Sequence, residues 1–325
     1  MNQSGYYRHP TIRDEIIVFT SEDDLWSVPA SGGIARRLTS SLSRVSRPLL
    51  SPDGALIAFV ASEEGHPELY VMPADGGEPR RLTYYGASTY PVEWSNDGRR
   101  ILFSTNHGQP FAHIFCVHSI TIDGEDAEQV PIGPAMSMSM GPDGGMVIGR
   151  NTQDTARWKR YRGGTAGDLW IDVTGSGTFK RLIDINSNLD SPMWIGDRIY
   201  FLSDHEGYGN IYSCNTSGID VQRHTDHDDY YARNASSDGR RIVYHAGADI
   251  YLLDPLTDRS GKVAIDYHSP RTQRSRKFVD PSSYLQDYDI HPEGHSLALV
   301  VRGKPITMGN FAGPAVQHGE PFGAR

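Results

Sequence analysis

The stretch Arg157-Trp158-Lys159-Arg160-Tyr161-Arg162 follows Arg150-Asn151-Thr152 and runs into Gly163-Gly164-Thr165, setting five basic residues among two aromatic ones. Cations interleaved with aromatic faces can clamp a carboxylate or stack on a planar group. Arg157, Trp158, Lys159, Tyr161 and Arg162 are therefore the candidate binding residues, and the C-terminal carboxylate of a short peptide is a ligand that suits them. A plainer alternative stands beside this one: Trp158 and Tyr161 pack an enlarged loop, and the arginines bond carbonyls at strand ends. A second cluster, His224-Thr225-Asp226-His227-Asp228-Asp229, offers two imidazoles and three carboxylates in six residues. Such donors suit a metal ion, but alternation along a strand would turn His224 and His227 to opposite faces. The run reads as a polar loop between repeats, and no metal or other cofactor is assigned. No G-x-S-x-G elbow, H-E-x-x-H helix, P-loop or G-x-G-x-x-G turn is present, so no catalytic residue is assigned either.

The elements that position these residues repeat. Ser51-Pro52-Asp53-Gly54, Ser95-Asn96-Asp97-Gly98, Gly141-Pro142-Asp143-Gly144, Ser236-Ser237-Asp238-Gly239 and His291-Pro292-Glu293-Gly294 are versions of one tight turn, most followed by a short apolar strand. Small or polar residues first, Pro second and Gly fourth suit a type I turn. Each unit then carries an aliphatic–aromatic pair: Leu25-Trp26, Leu69-Tyr70, Ile114-Phe115, Leu169-Trp170, Ile211-Tyr212 and Ile250-Tyr251. A last short strand follows, as in Arg36-Arg37-Leu38-Thr39 and Arg80-Arg81-Leu82-Thr83. Four short strands per unit at a period of about 40–45 residues describe a propeller blade.

The expected fold is all-β, a six-bladed β-propeller of four-stranded antiparallel blades over residues 1–270. The fourth unit carries the basic–aromatic insertion, and in the fifth Gly196-Asp197-Arg198 replaces the full turn, which implies a tighter hairpin. Residues 271–283 read as a linker, and 284–325 as the incomplete first blade of a second propeller. The tail from Asn310, rich in Gly and poor in apolar residues, is expected to lack structure.

Forty acidic against 31 basic residues give a net charge of −9, which argues against nonspecific nucleic-acid binding. No apolar run reaches membrane-spanning length and Met1–Arg13 lacks a signal-peptide core, so no membrane partner and a cytoplasmic location are expected. Cys116 and Cys214, in different units, read as buried thiols of a reducing compartment.

Several segments together resemble one family. Gly149-Arg150-Asn151-Thr152, Trp158-Lys159, Tyr161-Arg162-Gly163-Gly164-Thr165 and Leu169-Trp170-Ile171 resemble the N-terminal propeller of tricorn-type proteases. So do Asp23-Asp24-Leu25-Trp26, Gln109-Pro110-Phe111, Gly133-Pro134-Ala135, Arg198-Ile199-Tyr200-Phe201 and Gly209-Asn210-Ile211-Tyr212. The resemblance runs in order from Pro10 past Val300. It implies a noncatalytic propeller of a cytosolic serine peptidase that degrades oligopeptides and assembles as a hexamer. It also implies downstream peptidase domains that hold the catalytic Ser, His and Glu, a peptide or product channel along the propeller axis, and a second propeller starting near Ser282. In this family the ring is unlatched, and no residue after Val263 reads as a strand returning to blade one. The alternative is a stand-alone TolB-like propeller that binds a peptide or protein and has no peptidase attached.

Overall fold

The computed structural model describes residues 5–41, 43–63, 65–271 and 281–319. They divide into two compact units, Met1–Pro270 and Arg271–Arg325. No helix among the described residues is long and apolar enough to cross a membrane.

Turn chemistry starts each blade. The Ser51 hydroxyl donates to Asp53 at 2.6 Å and accepts the Leu56 N–H at 2.9 Å, while Gly54 takes φ +71°. Ser95 repeats this with Asp97 and the Arg100 N–H, and Gly98 takes φ +69°. The strand that follows is nearly all apolar, as in Leu56–Ala61 and Arg198–Ser203, because both of its faces are covered by neighbouring sheets. The first unit holds six four-stranded antiparallel sheets, with strands in chain order. In the fifth, Ile195 pairs Arg198 across the two-residue turn.

The core lies between blades. Six buried apolar clusters each span two neighbouring sheets. At the foot of the third strands a second device recurs. Thr39 accepts the Leu25 N–H at 2.9 Å and donates to Asp24 at 2.7 Å, and Arg37 pairs with the same carboxylate. Thr83 does the same for Leu69 and Glu68, and Thr225 for Ile211 and Asn210. Cys116 and Cys214 are buried free thiols in third strands.

Ring closure departs from the expectation that nothing returns after Val263. Ile265–Asp266 forms a parallel ladder with Gly33–Ile34 of blade one, with Gly33 N–H to Ala264 O and Ala35 N–H to Asp266 O both at 2.9 Å. Gly32 permits the approach: it sits at φ +88°, and a Cβ there would lie 2.5 Å from the Ala264 carbonyl oxygen. Among the described residues no blade draws strands from both termini, so the ladder supplements side-chain packing between blades six and one. So short a ladder has no period to reveal it.

The described part of the second unit forms a four-stranded antiparallel sheet: Leu285–Ile290, Ser296–Val301, Lys304–Gly309 and Val316–Gln317. The segment expected to be an incomplete blade thus has four strands, and within the expected tail Val316–Gln317 is one of them. Val316 and Gln317 pair with Thr307 and Ile306, satisfying the open edge of the third strand. Most of the expected linker lies outside the described residues.

Candidate functional site

Six first strands surround an axial tunnel of about 800 Å³: Arg8–Arg13, Val45–Leu50, Thr89–Trp94, Ser137–Met140, Asp190–Ile195 and Ala232–Ser237. Five of them slip register against their second strand. At four of these bulges one residue takes left-handed φ: His9 (47°), Arg47 (53°), Ser191 (49°) and Asn234 (47°). Pro10, Pro48 and Pro192 follow three of them, and Tyr90-Pro91 marks the bulge in blade three. Proline cannot donate to a ladder, so the strand bulges where it stands. A bulge also re-aims its side chain, here at residues that line the tunnel.

The lining carries both arginines and carboxylates. Arg47 lies 4.5 Å over the Tyr90 ring, Arg157 donates to Gln153 Oε1 at 2.6 Å, and Arg13 donates to the Asp238 carbonyl at 3.2 Å. The carboxylates there are otherwise engaged. Asp154 accepts Arg233 Nε at 2.8 and 3.0 Å and Nη2 at 2.5 Å, and Asp238 accepts the Arg240 and Arg241 N–H groups. Burial pushes the Glu93 carboxyl up to about 7, against N–H donation from Trp94 and Met140 and the nearby Arg13 charge. Burial likewise raises Asp190 to about 6, opposed by the Ser191 N–H and the Arg47 charge and helped by neighbouring Asp154.

Antiparallel pairing puts the loops between second and third strands, and the connections between blades, at the mouth where the first strands begin. The blade-four insertion, 151–167, starts there and reaches past blade five to blade six, where Asp154 meets Arg233. Buried Asp204 holds it down, accepting the Arg160 N–H at 2.6 Å and Arg162 Nη1 at 2.8 Å. Tyr6, Tyr84, Phe111, Trp158, Tyr208 and Tyr230 sit on segments at this same end, and they are all the exposed aromatic residues among the described part of the first unit.

A family model described as the tricorn protease N-terminal beta propeller domain matches residues 4–259. The chain belongs to this tricorn propeller family. A tricorn protease homolog from Saccharolobus solfataricus is 37% identical over 329 residues, covering 100% of this chain and 30% of that protein. A putative tricorn-like protease N-terminal subunit from Sulfurisphaera tokodaii is 33% identical over 179 residues, covering 54% of this chain and 90% of that one. The crystal structure of the tricorn protease superposes with a TM-score of 0.88 at 33% identity, covering 98% of this chain and 32% of that one. The chain thus spans about a third of the solved tricorn structure.

Within this tricorn-type propeller the candidate residues separate. Arg157 faces the tunnel, 5.4 Å over the ring of Trp158, which is 52% exposed at the rim. Lys159 lies 5.2 Å over the Tyr231 ring, the Tyr161 hydroxyl meets Thr165 at 3.0 Å, and Arg162 is bound to Asp204. His224 and His227 work apart. The first contacts Ser213 and Asp258 at 2.7 Å each, and the second the Tyr244 hydroxyl at 3.0 Å. In the second unit His291, Glu293 and His295 bring ligating atoms within 4.8 Å, but all three are exposed and His291 Nδ1 already accepts the Glu293 N–H. The tunnel residues Arg13, Arg47, Tyr90, Glu93, Asp154 and Asp190 escaped the sequence reading. The signal available was the recurring X-Pro in the first strands.

Proposed function

We propose that the chain is the noncatalytic propeller of a tricorn-like serine peptidase that degrades oligopeptides in the cytoplasm, serving as a peptide or product channel and an assembly surface. The tunnel through a member of this family carries the reading. An extended peptide can lie between six inner strands, and a folded domain cannot. The aromatic rim supports it, since aromatic faces pack against many side chains. Peptide-bond chemistry falls to segments in the remaining length of the relatives, carried on the same chain or, as the Sulfurisphaera N-terminal subunit suggests, on a separate one. The propeller would dock with those domains and with further copies in a hexamer.

The test is fluorescence anisotropy with labelled octapeptides on the 325-residue chain and on a Met136→Trp variant, which narrows the tunnel at a lining position. Binding that the added indole weakens is expected. Undiminished binding by a folded variant, or no binding to the parent, overturns the conduit.

A further inference from the structure

The overall charge is −9, yet three arginines that line the tunnel form no ion pair among the described residues. Among the described residues, Arg13, Arg47 and Arg157 have contacts with a carbonyl, an aromatic ring and an amide respectively, and no ion pair. The Nε of Arg13 is buried with no hydrogen-bond partner. The lining acids have other bonded partners: Asp154 has Arg233, Asp238 has Arg241 and two N–H groups, Glu93 the Trp94 N–H at 3.1 Å, and Asp190 the Ser191 hydroxyl at 3.3 Å, so that Glu93 and Asp190 feel Arg13 and Arg47 only as nearby charges. The Arg47 guanidinium lies over the Tyr90 ring, and no hydrogen bond from its N–H groups, which can take a carboxylate in two parallel hydrogen bonds, is present among the described residues. Arg47 and Arg157 come from blade two and the blade-four insertion, near one mouth. Arg13 closes its strand, so it stands toward the other end. Asp154 and Asp238 are neutralised by Arg233 and Arg241, while Glu93 and Asp190 also line the tunnel and are raised by burial, which weakens their opposition to the three arginines.

We propose that the tunnel is a filter for anionic peptides, in which Arg47, Arg157 and Arg13 take the side-chain carboxylates of an extended Asp- or Glu-bearing chain. The filter rests on the conduit reading and adds the substrate class to it. A neutral chain leaves the three guanidiniums unmatched, and a lysine-bearing chain meets them as like charges. The acidic exterior does not oppose entry strongly at physiological salt, because exposed charges beyond about 8 Å are screened.

Three labelled octapeptides of one length, alternating Gly with Glu, Gln or Lys, would be titrated onto the 325-residue chain at low and high salt. The Glu peptide should bind at least about ten-fold tighter than the Gln peptide, a ratio within reach of one charge-assisted hydrogen bond. Added salt should shrink that ratio, and Arg157→Gln and Arg47→Gln should each reduce it. Arg36→Gln, on an exposed outer strand, should not. Arg157 lies in a loop, so its variant keeps the test sound if the bulge at Arg47 tolerates no change. Equal affinities for the Glu and Gln peptides, or a ratio untouched by Arg157→Gln, overturn the filter and leave the conduit standing. Binding of none of the three overturns both.

Discussion

Two titratable side chains, Glu93 half-buried on the tunnel wall and His245 in the core, tie stability to pH in opposite directions. The Glu93 carboxyl is raised from 4.5 to about 7, so between those values the unfolded chain has lost a proton that the folded chain keeps. Stability therefore falls as pH rises through that window. His245 is fully buried, and burial lowers it from 6.5 to about 3, helped by the Arg233 charge. Below pH 6.5 the unfolded chain gains a proton that the folded chain refuses, so stability falls as pH drops. Urea midpoints across pH 4–8 should show Glu93→Gln flattening the loss toward pH 7 and His245→Phe flattening the loss toward pH 4. Unchanged slopes in either variant would assign that limb to other groups. The recurring Thr at the foot of the third strands is also a residue-scale matter. Thr39, Thr83 and Thr225 could be read from the Arg-x-x-Thr and Arg-His-Thr repeats, whereas their partners Asp24, Glu68 and Asn210 emerged only from the contacts.

At the scale of elements, the blade-four insertion behaves as a strap. It is bound at one point to blade five through Asp204 and at another to blade six through Asp154 and Arg233. Asp154→Asn removes the charge that faces a guanidinium only 29% exposed. A loss of about 1–3 kcal/mol in urea unfolding is expected, with faster proteolysis inside residues 151–167. Stability and cleavage both unchanged would show that the strap is held by Asp204 alone. The sequence marks this insertion by its length and composition. It does not show which of its cations turn inward, because Arg157 and Arg162 are five residues apart and serve a tunnel and a buried carboxylate respectively. The bulges leave a trace in the recurring X-Pro of the first strands, but not which side chains they turn to the axis, since a single added residue re-aims every side chain after it.

For the whole molecule, closing the ring joins residues more than two hundred positions apart. Tyr267 packs at 5.3 Å on Tyr7 and 4.6 Å on Trp26, and its hydroxyl donates to Ser21 at 2.9 Å. Replacing it by Ala should cost about 3–5 kcal/mol, seen as a lower melting temperature and a shift in tryptophan emission. A change within error would place closure in the Gly33–Ile34 ladder instead. What the sequence determined by itself is whatever recurs or acts locally: the tight turns, four strands per blade, six blades, the insertion and the family. A turn and its strand lie within about ten residues, and their chemistry repeats each time. Only the tertiary structure decided which side chains face the axis, which charges there stand unpaired and how the ends meet. Those facts join positions on different blades, and no local pattern records the sum of six strands around one tunnel.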